Sequence, residues 1–465
     1  MAVAVVTDGG GDVGLAVVRR LQADGMKVAV LGREARGGDV ALQLDVSDRG
    51  QMLSAAERVT RELGPPSVLV IAPQARASAP FGSMPTGQWE SLLDAYLGGT
   101  ASACAAFVPG MVQARRGCVI TLAPSAAVEG VPGEAYPAAA SGTILGFTKS
   151  FALEVARHGV RVNCITAGAA SPDEIADTIA FLVADGDFFI GQVLTLGTPE
   201  QDASNALIAR GSRWPAGPAV CLVTGAAQGI GAATVARLVK EGGRVAVNGR
   251  LDDDRLAAVV RATGGLSAPG DIADPAAVRR MVGDIERQLG SIEVLVCNAA
   301  RMTMKPFLEQ EPEEWWEQIR INLSGHLDLI SAVLPGMRRL GRGRIVIIAS
   351  LWGVTGWENA TGYAASKSAL IALTRSLGRE LAPEGIYVTA VAPGIIDTPQ
   401  LQVDADDAGL SLDEMRRVYA RQIPAGRIGR PDDIAGTIAF LSTGGARAFA
   451  GQLLQPNGGE LRATL

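Results

Sequence analysis

This sequence predicts two tandem, doubly wound parallel α/β sheets, the first of them a degenerate copy. Three observations carry that prediction. The chain repeats itself over a whole domain, each repeat alternates short apolar runs with longer amphipathic stretches, and each repeat opens on a strand, a turn and a helix. The length agrees, because 465 residues are too many for one ordinary core and suit two domains.

The repeat is visible by eye. Val3-Ala-Val-Val-Thr-Asp-Gly-Gly-Gly-Asp-Val-Gly14 returns as Val220-Cys-Leu-Val-Thr-Gly-Ala-Ala-Gln-Gly-Ile-Gly231. Val28-Ala-Val-Leu-Gly-Arg33 returns as Val245-Ala-Val-Asn-Gly-Arg250, Gly146 to Glu154 parallels Ala372 to Glu380, and Phe189 to Leu194 parallels Phe449 to Leu454. Glycine and proline at Gly211, Pro215, Gly217 and Pro218 interrupt the periodicity between the copies. The expected domains are therefore residues 1–203 and 218–465, with a linker at 204–217. In the second copy, β-branched apolar runs place strands at 219–224, 244–248, 292–297, 344–349 and 386–391, with a last one near 452–455. Amphipathic stretches place helices at 229–241, 275–289, 312–335, 361–382 and 431–441. Strands that are apolar along their whole length belong to a sheet covered on both faces.

Composition removes several function classes. Hydrophobic residues are 48% and charged residues 19%, which is globular rather than disordered. A net charge of -6 argues against a general nucleic-acid or anionic-membrane binder. The sequence reads without a signal peptide or an eighteen-residue apolar run, so a cytoplasmic protein with no membrane partner is expected. The five cysteines, Cys104, Cys118, Cys164, Cys221 and Cys297, are scattered without a Cys-x-x-Cys and suit buried thiols. With only His158 and His326, neither a His-dependent triad nor a metal site is read.

Chemistry concentrates in the second copy. Tyr363 and Lys367 are four residues apart, on one face if the segment is a helix. A cation beside a phenol favours the phenolate, and such a tyrosine can exchange a proton with a substrate oxygen. Ser350, at the end of an apolar run, could hold the same oxygen. A bare surface pair is the alternative for Tyr-x-x-x-Lys taken alone. Thr224-Gly-Ala-Ala-Gln-Gly-Ile-Gly231 sits between a strand and a helix, where Gly225, Gly229 and Gly231 let the backbone approach a pyrophosphate. A tight structural turn is the competing explanation. Gly249 and Arg250 end the next strand with no carboxylate for a ribose diol, and an arginine there can pair with a 2′-phosphate. That charge logic favours NADP(H), with NAD(H) second; an exposed arginine of no function is the alternative. Asp271 and Ile272 could address the adenine, Asn298 and Ala299 follow a strand, and Asn322 sits in an expected long helix. The stretch Pro393-Gly394-Ile-Ile396-Asp-Thr398 could pin a nicotinamide carboxamide.

Together, in this order, these motifs resemble the short-chain dehydrogenase/reductase family, across essentially all of residues 218–459. The resemblance implies Rossmann-like domains and a catalytic tetrad of Asn322, Ser350, Tyr363 and Lys367. It implies that Tyr363 is the general acid/base and that Ser350 orients the carbonyl. Lys367 would bind the nicotinamide ribose and Asn322 would hold a relay water. Gln228 and Ile230 would join the glycines at the cofactor. The family's usual Asn-Ala-Gly reads Asn298-Ala299-Ala300 here.

The first copy looks like the same family in decay. Asp8 and Asp12 replace two loop glycines, Ala72-Pro73-Gln74 replaces Asn-Ala-Ala, and Tyr96 stands at the asparagine position. Pro124 falls at the serine position beside Ser125, and Tyr136 is followed at i+4 by Ala140. Gly32-Arg33 and Asp45-Val46 persist. The fold without the chemistry is expected there. The two-domain, high-molecular-weight β-ketoacyl reductases look similar in plan. A fused copy could satisfy one dimer interface internally, so two chains would make a homodimer with the form of a pseudo-tetramer.

The expected activity is NADPH-dependent interconversion of a ketone and a secondary alcohol. A 3-oxoacyl thioester of CoA or an acyl carrier is one substrate, and a cyclic, aromatic or steroid-like ketone is the other. Between Gln400 and Ile428 an acidic run (Asp404, Asp406, Asp407, Asp413, Glu414) reads as a solvated loop, and Leu412 to Ile423 as a helical lid. Arg416, Arg417, Arg421 and Arg427 could meet a phosphopantetheine or CoA group. Trp352 and Trp357 either line an apolar pocket or pack beneath the lid. A non-catalytic nucleotide-binding scaffold is the reading of another class, and the intact tetrad speaks against it.

Overall fold

The computed structural model describes residues 2–73, 79–168, 170–184, 190–196, 218–423, 425–442, 449–458 and 460. The expected linker at 204–217, together with Gln74 and Phe189, lies outside the described residues. Two compact units emerge. One comprises Met1–Ala203, Thr303–Pro312 and Thr355–Leu373; the other comprises Ser204–Met302, Glu313–Val354 and Thr374–Leu465.

The first sheet contains β1 (Val3–Thr7), β2 (Lys27–Gly32), β3 (Val40–Gln43), β4 (Val68–Ile71), β5 (Gly117–Pro124), β6 (Val160–Ala167) and β7 (Val193–Leu196). Their order is β3-β2-β1-β4-β5-β6-β7, and every pairing is parallel. The second sheet repeats it with β8 (Val220–Val223), β9 (Arg244–Val247), β10 (Leu266–Ser267), β11 (Val294–Cys297), β12 (Gly343–Ile348), β13 (Ile386–Val391) and β14 (Leu453–Leu454). The order β10-β9-β8-β11-β12-β13-β14 is again all parallel. Every residue of β8, β11, β12 and β13 is buried, as strands covered by helices on both faces require. In each sheet the strand order reverses beside the first strand, which leaves a crevice at the carboxyl ends where such folds bind ligands.

Helix Pro275–Leu289 shows how local sequence sets an element. The Asp274 carboxylate accepts from the Ala276 amide, Pro275 fits the first turn, and Val278, Met281, Val282 and Ile285 form the buried stripe.

Several expectations need correction. The helix expected at 312–335 is Pro312–Ile319, a π turn at Arg320–Ser324, and a helix at Gly325–Leu340 that accommodates Pro335. A helix at Asp254–Thr263 was not foreseen, because Leu256 is its one fully buried residue. The acidic run is not a loop: Gln400–Asp407 is helical, since Leu401 and Ala405 lie one turn apart and pack with Met415, Ile423 and Ile428. The following helix, Leu412–Ala420, starts from a capping box between Ser411 and Glu414. Thr86–Gln113 is long and apolar enough, by length and composition, to cross a membrane, but most of that stretch is buried inside the protein, as a core helix would be. All five cysteines are buried, with no disulfide among the described residues, and burial pushes Cys164 and Cys221 up to about 12.

Candidate active site

The glycine turn after β8 is held from below by Thr224. Its hydroxyl accepts from the amides of Asn298 (3.0 Å) and Ala299 (3.2 Å), which follow β11. The Asn298 side chain in turn donates from Nδ2 to the carbonyls of Thr224 (2.9 Å) and Gly225 (3.1 Å). This ties together the two strand ends that flank the crevice. Gly225 has φ +60° and a Cβ there would lie 2.7 Å from Ala299 Cα, so both the backbone and the space demand glycine. Gly229 has φ +56° beside Thr398, and a Cβ on Gly231 would meet Asn298 Nδ2 at 2.8 Å. Gln228 is extended at the start of helix Gly229–Lys240 and makes no side-chain cap; its Oε1 accepts from Arg255 at 3.2 Å. Ile230 packs partly against the core. Glycine at these three positions keeps β-carbons away from the start of this helix, and a helix start of that kind can take a phosphate group.

At the end of β9, Arg250 is exposed. The residue that organises this strand end is Asn248, which the sequence reading passed over. It is buried and donates to the carbonyls of Ala268 and Gly270, each at 3.0 Å. An asparagine inside an apolar strand was the available signal. Asp271 accepts from the Ala273 amide at 2.9 Å, and buried Ile272 presents its carbonyl to Gly325, where a Cβ would approach to 2.6 Å.

Asn322 is fully buried within the π turn. Its Oδ1 accepts from the Arg301 amide at 2.7 Å and its Nδ2 donates to the Arg301 carbonyl at 2.8 Å. It thus clamps the chain just beyond Asn298 and Ala299. Ser350 follows β12; its hydroxyl accepts from the Trp352 amide at 3.2 Å, while the Leu351 amide donates to the Pro393 carbonyl at 3.0 Å. Beyond β13, a Cβ on Gly394 would lie 2.9 Å from Asn457 Cβ, and the Ile395 amide donates to Glu460 at 3.2 Å. Burial raises the Glu460 carboxyl above its usual range. Nothing in the sequence marked that glutamate. Ile396 bridges to Gly429.

Tyr363 and Lys367 lie on the first two turns of helix Thr361–Leu381. Lys367 is 1% exposed, and its Nζ is 5.5 Å from the centroid of the Tyr363 ring. A surface ion or cation–π pair would leave the ammonium in water; this one is withdrawn from it. By compactness Tyr363 and Lys367 belong to the first unit, whereas Asn322 and Ser350 belong to the second. Trp352 and Trp357 are each half-buried, and the Trp357 amide donates to Ser150 Oγ at 3.0 Å. Arg416 is engaged by Asp397 and Asp413, and Arg427 by Asp433, so neither is an uncommitted cation.

The first copy keeps the framework with other side chains. The Ala72 amide donates to Thr7 Oγ1 at 3.3 Å, as Asn298 does to Thr224. Asp8, in Gly225's place, keeps a positive φ of +48°. Burial, then the nearby Asp45 carboxylate, push its carboxyl up to about 6 against the opposing pull of Arg33. Arg33 pairs with Asp45 at 2.7 Å, and Arg36 donates to the Gly10 carbonyl at 2.9 Å. The π turn recurs at Asp94–Gly98 with buried Tyr96 in place of Asn322. Tyr136 accepts from the Gly82 amide at 3.2 Å and stacks on Phe81 with centroids 4.9 Å apart. Buried Ser141 donates to the Pro137 carbonyl at 2.7 Å.

Known proteins resemble this chain over about half of its length. The ligand-free aldohexose dehydrogenase of Thermoplasma acidophilum is 30% identical, covers 54% of this chain and 96% of its own, and has a TM-score of 0.49. The 3-oxoacyl-[acyl-carrier-protein] reductase FabG of Staphylococcus aureus (strain Mu50 / ATCC 700699) is 37% identical over 243 residues, 51% of this chain and 96% of that protein. Nodulation protein G of Azospirillum brasilense is 35% identical over 245 residues, 52% of this chain and 97% of that protein. A family profile described as Enoyl-(Acyl carrier protein) reductase matches residues 225–460, and one described as short chain dehydrogenase matches residues 2–179. With one such match on each copy, the chain belongs to the short-chain dehydrogenase/reductase family of oxidoreductases, in a tandem two-domain form.

Proposed function

We propose that the protein is an NADPH-dependent reductase of a ketone to a secondary alcohol, with a 3-oxoacyl thioester as substrate and chemistry confined to residues 218–465. The observation that carries the reading is the buried Lys367 ammonium beside the Tyr363 ring. The nicotinamide cofactor, when bound, supplies the hydride to the carbonyl carbon. The chain's own groups supply position and the proton. Tyr363 gives its phenolic proton to the carbonyl oxygen, and Lys367 stabilises the negative charge left on the phenol oxygen. Ser350 donates to the same carbonyl oxygen and orients it. Asn322, which already fixes the Arg301 backbone, holds the relay that returns a proton to Tyr363. The glycine turn at 225–231 takes the pyrophosphate, Asp271, Ile272, Asn298 and Ala299 address the adenosine side, and Pro393, Gly394, Ile396 and Thr398 bound the nicotinamide. Exposed Arg250, with no carboxylate beside it in sequence at the strand end, favours a 2′-phosphate.

The thioester reading is supported by the FabG relative, whose name states that substrate class. Residues 1–203 are proposed as a non-catalytic copy. The half-buried tryptophans keep a ring ketone as the second reading. The test is oxidation of NADPH and NADH by the full chain with a short 3-oxoacyl thioester and a panel of cyclic ketones. Thioester turnover with NADPH is expected. Turnover of ring ketones alone would replace the substrate, and none with any carbonyl would leave a nucleotide-binding scaffold.

A further inference from the structure

Glu154 lies on helix Ala135–Ala156 of the first, degenerate copy, yet it is only 6% exposed and faces residues of the second copy within the same compact unit. Its Oε2 accepts from the Phe307 amide at 2.8 Å, and its Oε1 accepts from the hydroxyl of Thr361, the first residue of the helix that carries Tyr363. The Asn359 amide is a further donor to the same carboxylate. Asn359 itself has φ +63°, a left-handed conformation immediately before that helix. Four residues earlier on the Glu154 helix, Ser150 Oγ accepts from the Trp357 amide. At Gly146, a Cβ would collide with the Ala364 backbone, so the two helices are in backbone contact next to Tyr363. Phe147 and Phe151 close on Phe307 with ring centroids 5.0 and 5.3 Å apart.

One helix thus holds residues 357, 359 and 361 by hydrogen bonds and residue 364 by contact, bracketing position 363. A carboxylate at a helix N-terminus is favoured by the helix dipole, and a buried one is tolerated only when donors surround it. The Ala135–Ala156 helix is buried almost all round by small and apolar residues, and that packing does not call for a glutamate. We propose that Glu154 is a positioning residue for the reaction: the copy without chemistry fixes the first turn of the helix bearing Tyr363, and so the placement of its phenol. The kinetic half of this inference rests on the Tyr363 reading above; the structural half does not.

The experiment compares Glu154→Ala, Glu154→Gln and Thr361→Val in the full chain by steady-state kinetics and by amide hydrogen exchange. Glutamine keeps one acceptor and can donate to the Thr361 hydroxyl, whereas alanine leaves three donors without a partner. The expected result is faster exchange at residues 357–365 in Glu154→Ala and a kcat lowered about tenfold with KM for NADPH unchanged, since small misplacement costs chemistry rather than cofactor binding. Glu154→Gln should recover most of the kcat. Should Glu154→Ala fail to fold, Thr361→Val removes one hydroxyl and carries the same expectations at a smaller size. Unchanged exchange over this turn, or faster exchange with wild-type kcat, overturns the proposal. Full turnover by Tyr363→Phe would overturn the function reading instead, and exchange would still decide whether Glu154 holds the turn.

Discussion

Asp8 shows how a single residue separates the two copies, whereas Arg250 has its counterpart in Arg33. The half-buried Asp8 carboxyl is raised to about 6 from its usual 3.8 by desolvation and then by the Asp45 charge, with Arg33 opposing. Between those pH values the folded chain keeps a proton that the unfolded chain releases, so stability falls as pH rises through this window and is level above it. Asp8→Asn removes the fall and suits the left-handed backbone. It should raise Tm at pH 8 by about 2–4 °C and far less at pH 5. An equal gain at both pH values would mean that the charge is not the cause. Arg250→Ala should weaken NADPH binding by about ten- to a hundredfold while NADH is unaffected, because a lost charge-assisted bond to phosphate costs roughly 1.5–3 kcal/mol. Equal weakening of both cofactors would remove the 2′-phosphate role. At this scale the sequence was readable where residue types are unusual for their place, as with Asp8 in a glycine turn. It was opaque for Glu154 and Glu460, because a glutamate on a helix or in a tail looks alike whether solvated or buried.

Elements were legible in proportion to how much of them is buried. The strands β8, β11, β12 and β13 are buried along their length and, Arg344 and Thr389 apart, read as near-continuous apolar runs because both faces are covered. The Asp254–Thr263 helix touches the core fully through Leu256 alone, so its periodicity is thin. The acidic Gln400–Asp407 stretch hid a helix because its two buried positions, Leu401 and Ala405, sit among carboxylates. Both copies form the π turn, with Asn322 in one and Tyr96 in the other, so the turn belongs to the framework and not to the asparagine. On the proposed function, the turn after β8 is the element that takes the cofactor's phosphates. Gly229→Asp imports the residue that the first copy carries at Asp12. It should weaken NADPH binding at least about tenfold, through a carboxylate beside the phosphates and a side chain at φ +56°. Wild-type affinity in that variant would place the pyrophosphate elsewhere.

At the scale of the whole molecule, duplication was plain in the sequence, because two matched series of strands and turns repeat in the same order. The make-up of the compact units was not, since it depends on contacts far apart in the chain. Residues 303–312 and 355–373, although they come from the second copy, group with the first. On the proposed reading, in which the first copy does no chemistry, that grouping gives it a role that needs no bound nucleotide: support of the helix that carries Tyr363. The two copies also offer an internal control. Tyr363 lies beside a buried lysine, whereas Tyr136 is stacked on Phe81 and bonded to the Gly82 amide.

The decisive measurement is NADPH-dependent turnover of a 3-oxoacyl thioester by Tyr363→Phe and Tyr136→Phe, side by side in the full chain. Tyr363→Phe should lose about 100-fold or more in kcat with cofactor affinity retained, as removal of a general acid would, and Tyr136→Phe should turn over as the wild type does. Full turnover in Tyr363→Phe, or its loss in Tyr136→Phe, would contradict the proposed function.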